Sequence, residues 1–277
     1  MKTNIKYKAS VFSFLFSDPD ILRELYSALE GVSLPADVPV TINTLDEVLF
    51  MDRINDISFE IGGKLVVLIE HQSTINPNMA LRLLMYIARV YEKIIQNKRI
   101  YSSTRISIPR PEFFVLYNGI EPYPDLNIMK LSNAFESTES IGLPDKEALT
   151  LDLVVKVINI NEGKNVEIVR KCETLAQYNA FIAKIYYFEQ QGYSRKEAIK
   201  RAVFYCQNHD ILKEFLDKNA SEVANMLITE WNWDDAKEVW QEEASAKTRA
   251  ETQAEERKRF IELLDQGLSI EEIKKRL

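Results

Sequence analysis

The sequence predicts a mixed α/β fold: a sheet with helices packed on it, followed by an all-helical region. Three patterns carry that reading. Residues 56–72, DISFEIGGKLVVLIEHQ, place two strand-like runs on either side of a Gly-Gly pair, which predicts a β-hairpin. The segment NMALRLLMYIARVYEKIIQNK that follows repeats its apolar residues at helical spacing. From about residue 161 the pattern is helical to the end.

The elements follow in order. Residues 7–30 read as helical, with Phe12, Leu15 and Phe16 on one stripe. The S-D-P-D break lets Asp18 cap a second helix that starts at Pro19 and turns Ile21, Leu22, Leu25 and Leu29 inward. Residues 31–55 are mixed, with Pro35 and Pro39 marking a loop. The hairpin runs Ile57–Ile61, Gly62-Gly63, Lys64–Gln72. A two-residue turn pairs positions whose numbers sum to about 125, which sets Asp56 near residue 69, with Glu70 within reach. Asn76 is the expected cap and Pro77 the first turn of a helix to Lys98. Leu83, Leu84, Ile87, Val90, Tyr91 and Ile94 form its apolar face, and Arg82, Arg89 and Lys93 fall mostly elsewhere. PEFFVLYNG (111–119) and LTLDLVVKVINI (149–160) read as two more strands. The expected divisions are 1–160 for the sheet domain, 161–233 for a helical region, and 234–277 for a charged helical arm with a terminal hairpin. That arm reads either as a solvated helix or as a means of self-association.

Composition excludes several classes. With 8 Gly in the chain there is neither a phosphate-cradling P-loop nor a dinucleotide-binding glycine turn, so no nucleotide cofactor is expected. Cys172 and Cys206 lack C-x-x-C spacing, and with His71 and His209 they show no zinc pattern. Two isolated thiols fit a reducing compartment. No stretch reads as a signal peptide or a membrane span, so a cytoplasmic protein is expected. The net charge is −7, yet residues 82–110 hold seven basic residues against one acidic, a local +6. That segment includes Arg82, Arg89, Lys93, Lys98 and Arg99, and reads either as a surface for a polyanion or as a solvated helix face.

The chemistry concentrates in LIEHQSTINPN, residues 68–78. Side chains alternate along a strand, so Glu70 and Gln72 share one face and His71 takes the other. Asp56 and Glu70 converge from the two hairpin strands. Two carboxylates held together repel unless a cation lies between them, and oxygen ligands suit Mg²⁺ or Mn²⁺. Such an ion polarises a phosphate oxygen and acidifies a bound water, which Gln72 can hold. The bland alternative is a strand that simply reaches solvent. His71 reads as a packed residue, and Tyr117 and Asn118 either line the cleft or pack at the strand end.

RINDISFEI, LVVLIEHQSTINPNMALRLLMYIARVYEKI and FFVLYNG together resemble the Rpn family of recombination-promoting nucleases, a transposase-related group of the PD-(D/E)xK nuclease superfamily. The resemblance covers roughly residues 5–160. It implies a restriction-endonuclease-like mixed sheet flanked by helices, and a Mg²⁺-dependent (or Mn²⁺-dependent) endonuclease acting on double-stranded DNA in recombination. Asp56 and Glu70 take the places of the metal-binding acids. Gln72 stands where lysine is commoner in the superfamily, as is usual in this family. The segment with Arg82, Arg89, Lys93, Lys98 and Arg99 would face DNA phosphates, and a homodimer would supply two active sites. One position departs. Related first helices carry an acid in a context like KYKDSVF, and this chain has Ala9 there. The alternative function is therefore a catalytically silent DNA-binding or regulatory protein of the same fold, and a third is an interaction module working through its C-terminal arm.

Overall fold

A computed structural model describes residues 10–43, 56–95, 100–143 and 149–229. The chain divides into two units, Met1–Leu227 and Ile228–Leu277, and the architecture that follows is that of the first. Six strands, β1 (Val40–Asn43), β2 (Asp56–Ile61), β3 (Leu65–Gln72), β4 (Arg110–Tyr117), β5 (Leu126–Lys130) and β6 (Val154–Asn159), form one sheet in the order β1-β2-β3-β4-β6-β5. β3, β4 and β6 are parallel neighbours at its centre, and β1–β2, β2–β3 and β5–β6 pair antiparallel. Apolar runs such as VVLI in β3 and FFVLY in β4 suit this position, because central parallel strands are covered on both faces.

The α-helices are α1 (Val11–Leu15), α2 (Pro19–Glu30), α3 (Met79–Ile94), α4 (Val166–Lys171), α5 (Glu173–Gln190) and α6 (Arg195–Asn208), followed by helical residues 213–227. No described helix is long and apolar enough to cross a membrane. Asp18 caps α2 as expected, its carboxylate accepting from the Asp20 N–H at 2.8 Å. The helix stops at Gly31, whose positive φ of 66° is the left-handed turn glycine adopts most easily.

The hairpin forms at the glycine pair, but with a three-residue loop. Gly62 and Gly63 take φ of 58° and 63°, and Lys64 joins them, donating its N–H to Ile61 O at 3.1 Å. The extra loop residue moves the register by one from that expected of a two-residue turn, so Ile61 pairs with Leu65 and Asp56 with Glu70. α3 begins at Met79 rather than Pro77. Asn76 caps a preceding turn instead, its Oδ1 accepting from the Asn78 N–H at 2.9 Å. The helix ends at Ile94, and residues 96–99 lie outside those described.

α3, which joins β3 to β4 along the chain, packs on one face of the sheet. Met79, Leu83, Tyr86, Ile87 and Val90 bury against Val66, Leu68, Phe113, Val115, Tyr117, Val155 and Val157. α1 and α5 reach the opposite face, where Phe12 and Tyr178 enclose His71 and the Asn179 amide donates to Ile160 O at 2.6 Å. β1 and β5 are the elements the sequence pattern did not reveal. Both lie at sheet edges, where exposed positions such as Ile42, Leu126 and Ile128 dilute the apolar signal.

Candidate active site

The carboxyl ends of the three parallel strands lie side by side, with Gln72 in register with Tyr117 and Tyr117 with Asn159. Open α/β sheets tend to bind ligands at this edge. The strand exits are tightly joined. Asn118 donates its N–H to Gln72 O at 3.0 Å. A Cβ on Gly119 would fall 1.8 Å from Ser73 O, so only glycine permits this approach of the two loops.

Glu70 is the centre of a buried polar cluster on the α3 face. Its side chain is 5% exposed, and its Oε1 accepts from Gln72 Nε2 at 2.6 Å and pairs with Arg82 Nη1 at 2.9 Å. Gln72 Nε2 also lies 2.8 Å from the Sδ of Met79. Two acceptors thus fix the amide orientation, nitrogen toward Glu70 and Met79, oxygen away from them. Arg82 is held from a second side, donating from Nη2 and Nε to the Tyr86 hydroxyl at 2.9 and 3.2 Å. Met79, Arg82 and Tyr86 share this face because residues three and four apart lie on one helix stripe. An arginine among DNA-facing basic residues in the sequence reading therefore turns out to be the counter-ion of the strand acid. The signal was present: Arg82 sits beside Leu83 on the stripe running from Met79 to Tyr86 and Val90.

Asp56 is the first residue of β2, and its backbone lies directly opposite Glu70. His71 points to the other face, as alternation requires. Phe12 stacks on its ring at 4.7 Å, and the Tyr178 hydroxyl lies 3.3 Å from Nε2. Its Nδ1 has no hydrogen-bond partner among the described residues. Complete burial pushes the imidazole down to a pKa of about 3, so it is neutral near pH 7. Tyr117 packs into the α3-side core and donates to Glu121 O at 2.8 Å. Asn118 instead lines a cleft of about 620 Å³ at the same sheet edge, with Tyr123, Asn161, Asn179 and Tyr187. Cys172 and Cys206 are free and buried, and burial raises their thiols to about 12 and about 11.

The remaining basic residues are spread along α3 and beyond. Arg89 pairs with Glu92 at 2.8 Å on the exposed face. Lys93 is exposed in the last turn. Lys98, Arg99 and Ala9 lie outside the described residues. Among the described residues no three His, Cys, Asp or Glu side chains gather as a metal cage. At this edge the described carboxylate is that of Glu70, and strand register sets the backbone of Asp56 opposite it. Carboxylate oxygens with water and phosphate oxygens are the kind of donor that suits Mg²⁺ or Mn²⁺.

These features define a class: a mixed α/β-sheet protein with a buried acid–amide–arginine cluster at the carboxyl edge of its parallel strands. The chain belongs to the family described as "Putative transposase, YhgA-like", whose model matches residues 47–185, half of its length. The matched region starts later than the resemblance read from sequence and runs past residue 160 into α5. That extension makes physical sense, because Tyr178 of α5 packs on His71 of β3. No curated protein and no solved structure gave a significant match. Membership supports a transposase-related role.

Proposed function

We propose that this protein is a divalent-metal-dependent DNA endonuclease with a restriction-endonuclease-like core, acting in DNA recombination. The observation that carries the reading is the pairing of Asp56 with Glu70 across the hairpin, two residues from Gln72, at the carboxyl edge of the parallel strands. Asp56 and Glu70 would hold Mg²⁺ or Mn²⁺. When bound, such an ion lowers the pKa of a water and neutralises charge developing on the scissile phosphate. Gln72 has its amide nitrogen committed to Glu70 and Met79, which leaves its Oε1 to accept a proton of the attacking water and aim the oxygen. Arg89 and Lys93, with Lys98 and Arg99 further on, neutralise phosphates of duplex DNA without reading bases. In this reading residues 1–160 form the nuclease domain, residues 161–233 the helical region and residues 234–277 an arm that pairs two copies, so that a homodimer cuts both strands. The protein would work in the cytoplasm.

The test is nicking of supercoiled plasmid in Mg²⁺ and in EDTA, by wild type, Glu70→Gln and Asp56→Asn, each with Ala9 and with Ala9→Asp. Metal-dependent product is expected, and either acid substitution should abolish it. Cleavage that survives Glu70→Gln, or none on both backgrounds, would refute the assignment. The departure at Ala9 favours one second reading, a DNA-binding protein without turnover. It predicts salt-dependent duplex binding and no product in Mg²⁺ until Ala9→Asp is introduced.

A further inference from the structure

The Glu70–Arg82 pair poses a problem that the nuclease reading leaves open: the acid assigned to a metal already has a cation on it. A carboxylate with a side chain 5% exposed, pairing at 2.9 Å with a guanidinium and accepting a 2.6 Å amide bond, is compensated as it stands. Burying a charge without such a partner is costly. Two features of Arg82 permit its release from Glu70. Its side chain is 33% exposed, so its charge can reach solvent. It also has a second anchor, since Nε and Nη2 donate to the Tyr86 hydroxyl and the guanidinium carbon lies 5.6 Å from the centre of that ring. Arg82 can therefore give up Glu70 without being cast loose.

We infer that Arg82 is an internal counter-ion that occupies the Glu70 carboxylate until a divalent cation displaces it, and that displacement frees the guanidinium for a DNA phosphate. The inference rests on the metal-binding reading of Glu70 and adds a regulation to it. A divalent ion placed on the same carboxylate repels a guanidinium at 2.9 Å, so the two occupants compete. Competition makes the site a linked switch. Metal affinity is lowered by the strength of the ion pair, and the arginine becomes available only when the metal is in place. The protein thus carries its own charge compensation when no metal is bound, and gains a phosphate-binding cation only once the metal has entered. Arginine suits this position better than lysine, because its planar fork serves Tyr86 and Glu70 at once.

The experiment is Mn²⁺ titration by calorimetry on the full chain, comparing wild type, Arg82→Gln, Arg82→Lys and Glu70→Gln. Arg82→Gln should bind Mn²⁺ about tenfold tighter or more, because its competitor is gone. Arg82→Lys should fall between, and it keeps the comparison usable if Arg82→Gln folds poorly. Glu70→Gln should lose the site. Thermal melting adds a second reading. Arg82→Gln should melt below wild type in EDTA and recover a larger share of its loss in Mn²⁺. Duplex binding in Ca²⁺ adds a third. The salt slope of wild type should exceed that of Arg82→Gln by about one contact in Ca²⁺ and by none in EDTA. If wild type binds Mn²⁺, Glu70→Gln does not, and Arg82→Gln binds no tighter, the counter-ion inference falls while the metal site stands. If no variant binds Mn²⁺, the metal reading and the inference fall together.

Discussion

Glu70 and His71 are chain neighbours on one central strand, and both are buried, yet the two faces of the sheet treat them in opposite ways. On the α3 side the charge of Glu70 is kept and compensated by Arg82 and Gln72. On the α1/α5 side the charge of His71 is given up: Phe12 and Tyr178 close over the ring, and burial holds its pKa at about 3. A buried polar group survives by pairing or by neutralisation. Pairing retains the carboxylate as a charged group. Neutralisation retains packing. The difference teaches that neighbours in the E-H-Q run meet burial by opposite means, one by keeping a partnered charge and one by losing its charge.

The comparison is broken most severely from the aromatic side. Phe12 is fully buried and its ring meets His71 at 4.7 Å, Phe16 at 4.5 Å and Tyr178 at 5.5 Å. Phe12→Ala should cost about 3–5 kcal/mol in urea unfolding, the transfer and cavity cost of such a deletion. Stabilisation by Mn²⁺ should be unchanged in size, because Glu70 faces the other way. A mutant that folds but gains nothing from the ion would show that the two faces act as one unit.

Much of this contrast was legible in the sequence. Period-two alternation separates Glu70 and Gln72 from His71 whatever the rest of the fold does. The Gly-Gly pair located the hairpin, and the apolar runs of β4 and β6 located the strands beside it. What was not legible depended on counts or partners that local pattern does not fix. One additional loop residue, Lys64, decided whether Asp56 stands opposite Glu70 or opposite Ile69, whose side chain takes the other face. β1 and β5 escaped notice because an edge strand is half solvated and its sequence resembles a loop. Arg82 reads as one more basic residue of its segment, because charge is visible in a sequence and helix phase is less so. Its position three residues after Met79 and four before Tyr86 placed it on the inner stripe, and the carboxylate it meets comes from a strand ten or more residues earlier.

A smaller effect sharpens the Glu70 side. Gln72→Leu removes the donor at 2.6 Å but leaves Arg82 in place. A hydrogen bond to a charged group is worth about 1.5–3 kcal/mol, and Gln72 is partly exposed, so a loss of about 1.5 kcal/mol in urea unfolding is expected. Mn²⁺ affinity should change little, since the ligands remain. If Gln72 aims the attacking water as proposed, the cleavage rate should fall in any background where cleavage is seen. Unchanged cleavage by Gln72→Leu would reduce Gln72 to a structural partner of Glu70.

The smallest effect tests whether His71 has really surrendered its charge. The folded imidazole titrates at about 3 and the unfolded one at the ordinary 6.5. Above 6.5 neither state holds the proton, and the pair contributes no pH dependence. Between 6.5 and 3 the unfolded chain binds a proton that the folded chain refuses, so stability falls as pH falls, by up to about 1.4 kcal/mol per unit. Carboxylates titrate in the lower part of this window, so the comparison belongs between pH 6.5 and 5. There His71→Phe should keep the stack on Phe12 while removing the titration. Its unfolding free energy should be flatter than that of wild type, so that toward acid wild type loses about 1 kcal/mol per unit relative to His71→Phe after the full slope is reached. The other histidine, His209, is present in both proteins and cancels. Parallel curves would mean that His71 accepts a proton where it sits. The aromatic face would then have an answer to charge that Phe12 and Tyr178 do not provide, and the contrast with Glu70 would be one of degree.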